Sequence, residues 1–173
     1  MKRLLIALLA SVSALAQVRE HSSLMHDCLR GANGCVRLSS TDIREANAGL
    51  KAAGDRPVGT DEARTNRAVN AIVFTTRLVQ VESEILEPFA KVHQRKPYPQ
   101  EVLAAWLVGV PKFKRLGYEP SRITDSEAKR LVDKYVYEDR IARLQTLVPK
   151  VQPPSPAEAA PQAKRAQPPG GVP

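Results

Sequence analysis

Strand-like alternation of apolar and polar residues is missing from this chain, which removes β-rich architectures from consideration. Phosphate-cradling glycines are missing too: "GANG" at residues 31–34 is too short and is followed by neither Lys-Ser nor Lys-Thr, so no nucleotide-binding loop is built there. No G-x-S-x-G turn occurs, which excludes that serine-nucleophile arrangement. Aromatic residues make up only 5% of the chain, with a single tryptophan, Trp106. The two cysteines, Cys28 and Cys35, have six residues between them in "HDCLRGANGC". Zinc sites usually space their first ligand pair by two to four residues, so His21, His26, Asp27, Cys28 and Cys35 do not read as a metal set. No metal and no cofactor is implied.

What is present starts with two distinctive ends. "MKRLLIALLASVSALAQ" joins a positive start at Lys2 and Arg3 to an apolar run, Leu4 to Leu15, and a small-x-small site at Ala14-Leu15-Ala16. This is the layout of a secretory signal peptide over residues 1–16, and it predicts a periplasmic or secreted protein beginning near Gln17. The run is shorter than the roughly 18 apolar residues that span a bilayer, so a permanent anchor is not expected. At the other end, 152–173 is rich in proline and alanine, with Val172 its only large aliphatic residue. Such a composition cannot offset its ordering entropy and predicts a disordered tail. Residues 17–151 remain for one modest core.

In an exported protein the close cysteine pair predicts a Cys28–Cys35 disulfide, worth roughly 2–3 kcal/mol by restricting the unfolded chain. The formal charge is +8, from 26 Lys and Arg against 18 Asp and Glu, and falls to +6 if Lys2 and Arg3 are removed. Outside the cell interior this excess fits anionic envelope polymers, an acidic protein partner or transient contact with a membrane surface, and not nucleic acid. It serves solubility equally well.

The central region reads as helices throughout, predicting an all-α domain of four to five. The stretch 39–54 offers Ser40, Thr41 and Asp42 as caps and Gly54 as a left-handed stop. A long helix from Thr60 or Asp61 carries Val69, Ile72, Val73 and Val79 on one stripe, with Phe74, Leu78, Val81 and Ile85 beside it. Two stripes make a wide apolar face, expected at the centre of the fold, and Pro88 should end or kink the helix. Pro99 opens another helix holding Val102, Leu103, Trp106 and Leu107, which stops near Gly109. The last, 124–148, begins with a Thr124-x-x-Glu127 capping box.

From Asn66 to Val136 the chain resembles the soluble lytic transglycosylase and goose-lysozyme family. The resemblance rests on Asn66 opening "NRAVNAIVFTTRLV", on Ala104-Ala105-Trp106 with Gly109, on the basic stretch from Lys112 to Gly117, and on Tyr135-Val136. It implies a lysozyme-like fold that binds or cleaves peptidoglycan, with Ala105 and Trp106 lining the sugar cleft. Two elements of the family pattern are absent. Glu82-Ser83 stands too close ahead of Ala105 to be the family's catalytic Glu-Ser pair, and no Gly-Leu-Met-Gln segment follows it.

Glycoside cleavage needs a carboxylic acid kept protonated near neutral pH by an apolar pocket. Glu45 has a workable separation from Trp106 and is the candidate acid, though it reads equally as a first-turn glutamate favoured by the helix dipole. Glu82 and Glu84 read as a solvated helix face. Trp106 serves either as a stacking platform for a sugar or as a core anchor. A second class of function fits the same features: a non-catalytic periplasmic interaction module, acting as an accessory or inhibitor protein on an envelope protein.

Overall fold

The computed structural model describes residues 18–147. The expected leader (1–16) and proline-rich tail (152–173) lie outside them. Within this span the chain is all-α, with no strand among the described residues. Helix α1 covers 18–29. It is followed by α2 (Ser40–Ala52), α3 (Thr60–Thr65), α4 (Arg67–His93), α5 (Pro99–Val108), α6 (Val110–Arg115), a 3₁₀ turn at Pro120–Arg122 and α7 (Ser126–Leu147).

Among the described residues seven α-helices form; five have seven or more residues, in line with the four to five expected, and the short α3 and α6 make up the excess. Asn66 leaves helical geometry (φ −90°, ψ 110°), and its side chain accepts from the N–H groups of Ala68 and Val69. The single helix expected from Asp61 is therefore two, α3 and α4. At α2 the cap is Ser39, one residue earlier than expected: Ser39 Oγ accepts from Asp42 N at 3.1 Å while Asp42 Oδ2 accepts from Ser39 N at 2.9 Å. Gly54 takes the left-handed conformation expected of it (φ 83°). At α7 the capping side chain is Asp125, which accepts from Ala128 N at 2.8 Å, not Thr124.

Pro88 does not end its helix. It lies inside α4, which continues to His93. Ile85 and Phe89, on either side of it, are wholly buried, and their burial outweighs the missing backbone hydrogen bond. Pro99 starts α5 as expected.

Helix α4 is central, packing on α2, α3, α5 and α6, while α5 also packs on α7. Val73, Phe74, Leu78, Val81, Ile85 and Phe89 bury its inner face. The face is narrower than expected, for Ile72 is 54% exposed. Helix α1 is pinned to α7 through polar contacts: Tyr135 Oη lies 2.8 Å from His21 Nδ1, and Lys134 Nζ donates to the Cys28 carbonyl at 2.8 Å.

Candidate functional site

The site grows from a buried amide. Asn70, on α4 and fully buried, accepts at Oδ1 from Val36 N (2.8 Å) and donates from Nδ2 to Val36 O (3.0 Å) and Ala63 O (2.7 Å). Because Oδ1 is an acceptor, His26 Nε2, 2.9 Å away, donates to it. One side chain thus fixes the non-helical segment 31–39 against α1, α3 and α4. Burying an amide is tolerable only with this degree of satisfaction.

That segment forms the floor of a cleft. Two adjoining hollows of about 1000 Å³ and about 500 Å³ share Leu29, Val36, Arg37, Trp106 and Leu107. The larger extends towards Ser39, Asp42 and Arg64, the smaller along the start of α7 towards Asp125, Arg130 and Lys134. Trp106 stands where they meet. It is half-buried, packs edge-on against Phe74 at 5.1 Å, and donates its indole N–H to Asp42 Oδ1 at 3.1 Å. These contacts fix the ring's orientation while leaving part of it on the cleft. A further hollow of about 660 Å³ between α1 and α4 has no tryptophan, tyrosine or phenylalanine in its lining.

Of the residues expected to act on or bind a substrate, only Trp106 faces this cleft. Ala105 is fully buried in the core and lines neither hollow. Glu45 lines neither hollow. Its Oε2 lies 2.5 Å from Arg77 Nη2, as a charge contact rather than an aligned hydrogen bond, and its side chain is 37% exposed. Arg77 also reaches Glu84 (3.1 Å) and Asp42 (3.9 Å), so it ties α2 to α4. A carboxylate matched to a guanidinium and open to water lacks the apolar pocket a general acid needs.

The expected disulfide does not form: Cys28 and Cys35 are both free and buried. Cys28 faces the hollow beside α7, while Cys35 faces the one beside α2. The intervening turn is closed by backbone instead, with Gly31 N donating to Cys35 O at 2.9 Å and Gly34 at φ 77°. Burial pushes the Cys28 thiol up, partly offset by Lys134 and reinforced by Glu138 and Asp27. No cluster of three or more His, Cys, Asp or Glu side chains suited to a metal occurs among the described residues.

One acid escaped the sequence reading. Glu82, expected on a solvated face, is 2% exposed, and its Oε2 has no hydrogen-bond partner among the described residues. Burial pushes its carboxyl up to about 7, with Lys96 pulling the other way. Glu82 falls between Val81 and Ile85 on the apolar face of α4, a position that periodicity could have flagged. It lines neither hollow of the cleft.

Comparison with family models, with curated proteins and with solved structures finds no match for this chain.

Proposed function

We propose that this is an exported, non-catalytic helical interaction module that engages a component of the cell envelope, peptidoglycan or a protein associated with it, through the Trp106 cleft. One observation carries the reading. An oriented, half-exposed tryptophan stands between two connected hollows whose rims are cationic, and no acid suited to catalysis faces it. Export rests on the residue pattern at 1–16 and the resemblance to lysozyme-like proteins on the stretches around Asn66 and Trp106.

The test is retention of the purified mature chain on crude envelope fractions. Trp106→Ala and Arg37→Glu should each lower retention at unchanged helical content, and no soluble muropeptides should be released. Equal retention of all three proteins would overturn the role of the cleft.

Cleavage of peptidoglycan is the second reading, favoured by Glu82. Among the described residues it is the one carboxyl whose proton is held near neutral pH by apolar surroundings, as glycoside cleavage requires. Its distance from the cleft lining makes turnover depend on an opening that brings Glu82 to the ligand. Muropeptide release abolished by Glu82→Gln would establish this reading in place of the first.

A further inference from the structure

The cleft has a charge and a backbone edge that together define its ligand. Five cationic side chains line the two hollows: Arg30, Arg37, Arg64, Arg130 and Lys134. Three carboxylates accompany them, Asp42, Asp125 and Glu127, and the first two are occupied as caps of α2 and α7. Arg30 pairs with Asp27 and Arg64 donates to Ser40. Arg37 and Arg130, which both border the smaller hollow, are exposed and make no ion pair among the described residues. The smaller hollow thus holds four cations against Asp125 and Glu127, and two guanidinium groups that make no ion pair attract carboxylates, which they can grip in a bidentate manner.

Among the cations the lining also holds apolar side chains, Leu29, Val36, Leu38, Trp106 and Leu107, beside the polar Asn33 and Ser39. The floor itself alternates: Val36 is buried, Arg37 exposed, Leu38 buried, and the segment reaches Ser39 in extended geometry (φ −73°, ψ 161°). Asn70 takes both the N–H and the C=O of Val36. In an extended chain the next residue turns its N–H and C=O to the opposite side. Neither group of Arg37 has a hydrogen-bond partner among the described residues. The cleft therefore offers one pre-positioned main-chain donor and acceptor beside apolar side chains and free arginines.

We propose that the Trp106 cleft binds an extended acidic peptide segment of a partner protein. Its backbone pairs with Arg37, one of its apolar side chains packs on Trp106, and its carboxylates meet Arg37 and Arg130. The vacant backbone edge selects a peptide over a glycan, because strand addition requires main-chain groups spaced as in a polypeptide. This inference rests on the cleft being the interaction surface.

Trp106 is the only tryptophan, so its emission reports occupancy directly. The probe is a decapeptide alternating glutamate and leucine, with a lysine–leucine decapeptide as control. The glutamate peptide should shift the emission, lose affinity as salt rises, and bind at least tenfold more weakly to Arg37→Glu and to Arg130→Glu. Lys114→Glu carries the same charge change on α6, outside the cleft, and should bind as the unaltered chain does. Equal binding of the two peptides, or indifference to both arginine reversals, overturns the proposal. If protein-free sacculi shift the emission and the glutamate peptide does not, the cleft stands as the interaction surface and the peptide inference fails. If no ligand shifts the emission and the reversals leave envelope retention unchanged, both readings fail.

Discussion

Asn70 shows how much one side chain can determine. Replacing it by alanine leaves the Val36 N–H, the Val36 and Ala63 carbonyls and His26 without their partner in a dry interior. Each unsatisfied buried group costs about 1–3 kcal/mol, so Asn70→Ala should lower stability by at least about 3 kcal/mol in chemical denaturation. It should also loosen the cleft floor, so surviving protein should bind the acidic peptide more weakly. Glu82 makes the opposite kind of prediction. Its carboxyl stands at about 7 in the folded chain against an ordinary 4.5, so the folded state holds the proton more tightly than the unfolded one. The stability contributed is fully present below the lower value and is lost as pH rises through the upper one. By linkage the loss is about 3 kcal/mol, and Glu82→Gln should remove it. Melting curves at pH 5 and pH 8 should converge in the variant, and at pH 8 the variant should be the more stable protein. The thiols follow from burial: Cys28 and Cys35 should resist alkylation in the folded protein, and intact mass should show both modified once it is unfolded.

At the scale of elements, the helices are set by caps and held by packing. Asn66 and Ser39 place helix starts to the residue, because each supplies an acceptor to N–H groups that the helix itself leaves unpaired. Pro88 is where local rule and packing conflict. It removes a hydrogen bond from the interior of α4, yet the helix persists because Ile85 and Phe89 are buried around it. Pro88→Ala should therefore stabilise the protein, by roughly 1–2 kcal/mol, through the restored hydrogen bond and the better helix propensity of alanine. An unchanged or lowered denaturation midpoint would show that the proline geometry is itself required. The Arg77 contacts with Glu45 and Asp42 belong to the same scale, joining α2 to α4, while its contact with Glu84 stays within α4.

For the whole molecule, one core is shared by all the helices from α1 to α7, with Phe74 reaching Trp106 on α5 and His26 on α1. Tryptophan emission and helical circular dichroism should therefore report the same unfolding transition. Separate midpoints would mean that the α1–α7 side opens independently of the α4 centre. The sequence by itself determined the all-helical class, the stops at Gly54 and Gly109 and the opening of α5 at Pro99. These depend on periodicity and on conformational limits that act within a few residues. It also singled out Trp106, since a lone tryptophan near a glycine stop stands out in a chain poor in aromatics. Only tertiary structure decided what surrounds that tryptophan. The loop 31–39, the start of α2 and the start of α7 come together on it from distant parts of the chain. The same long-range packing matched Glu45 to Arg77 and buried Glu82, and within it Cys28 and Cys35 are buried and unpaired. Protonation, pairing and exposure depend on neighbours in space, and for these residues the deciding neighbours lie on other helices.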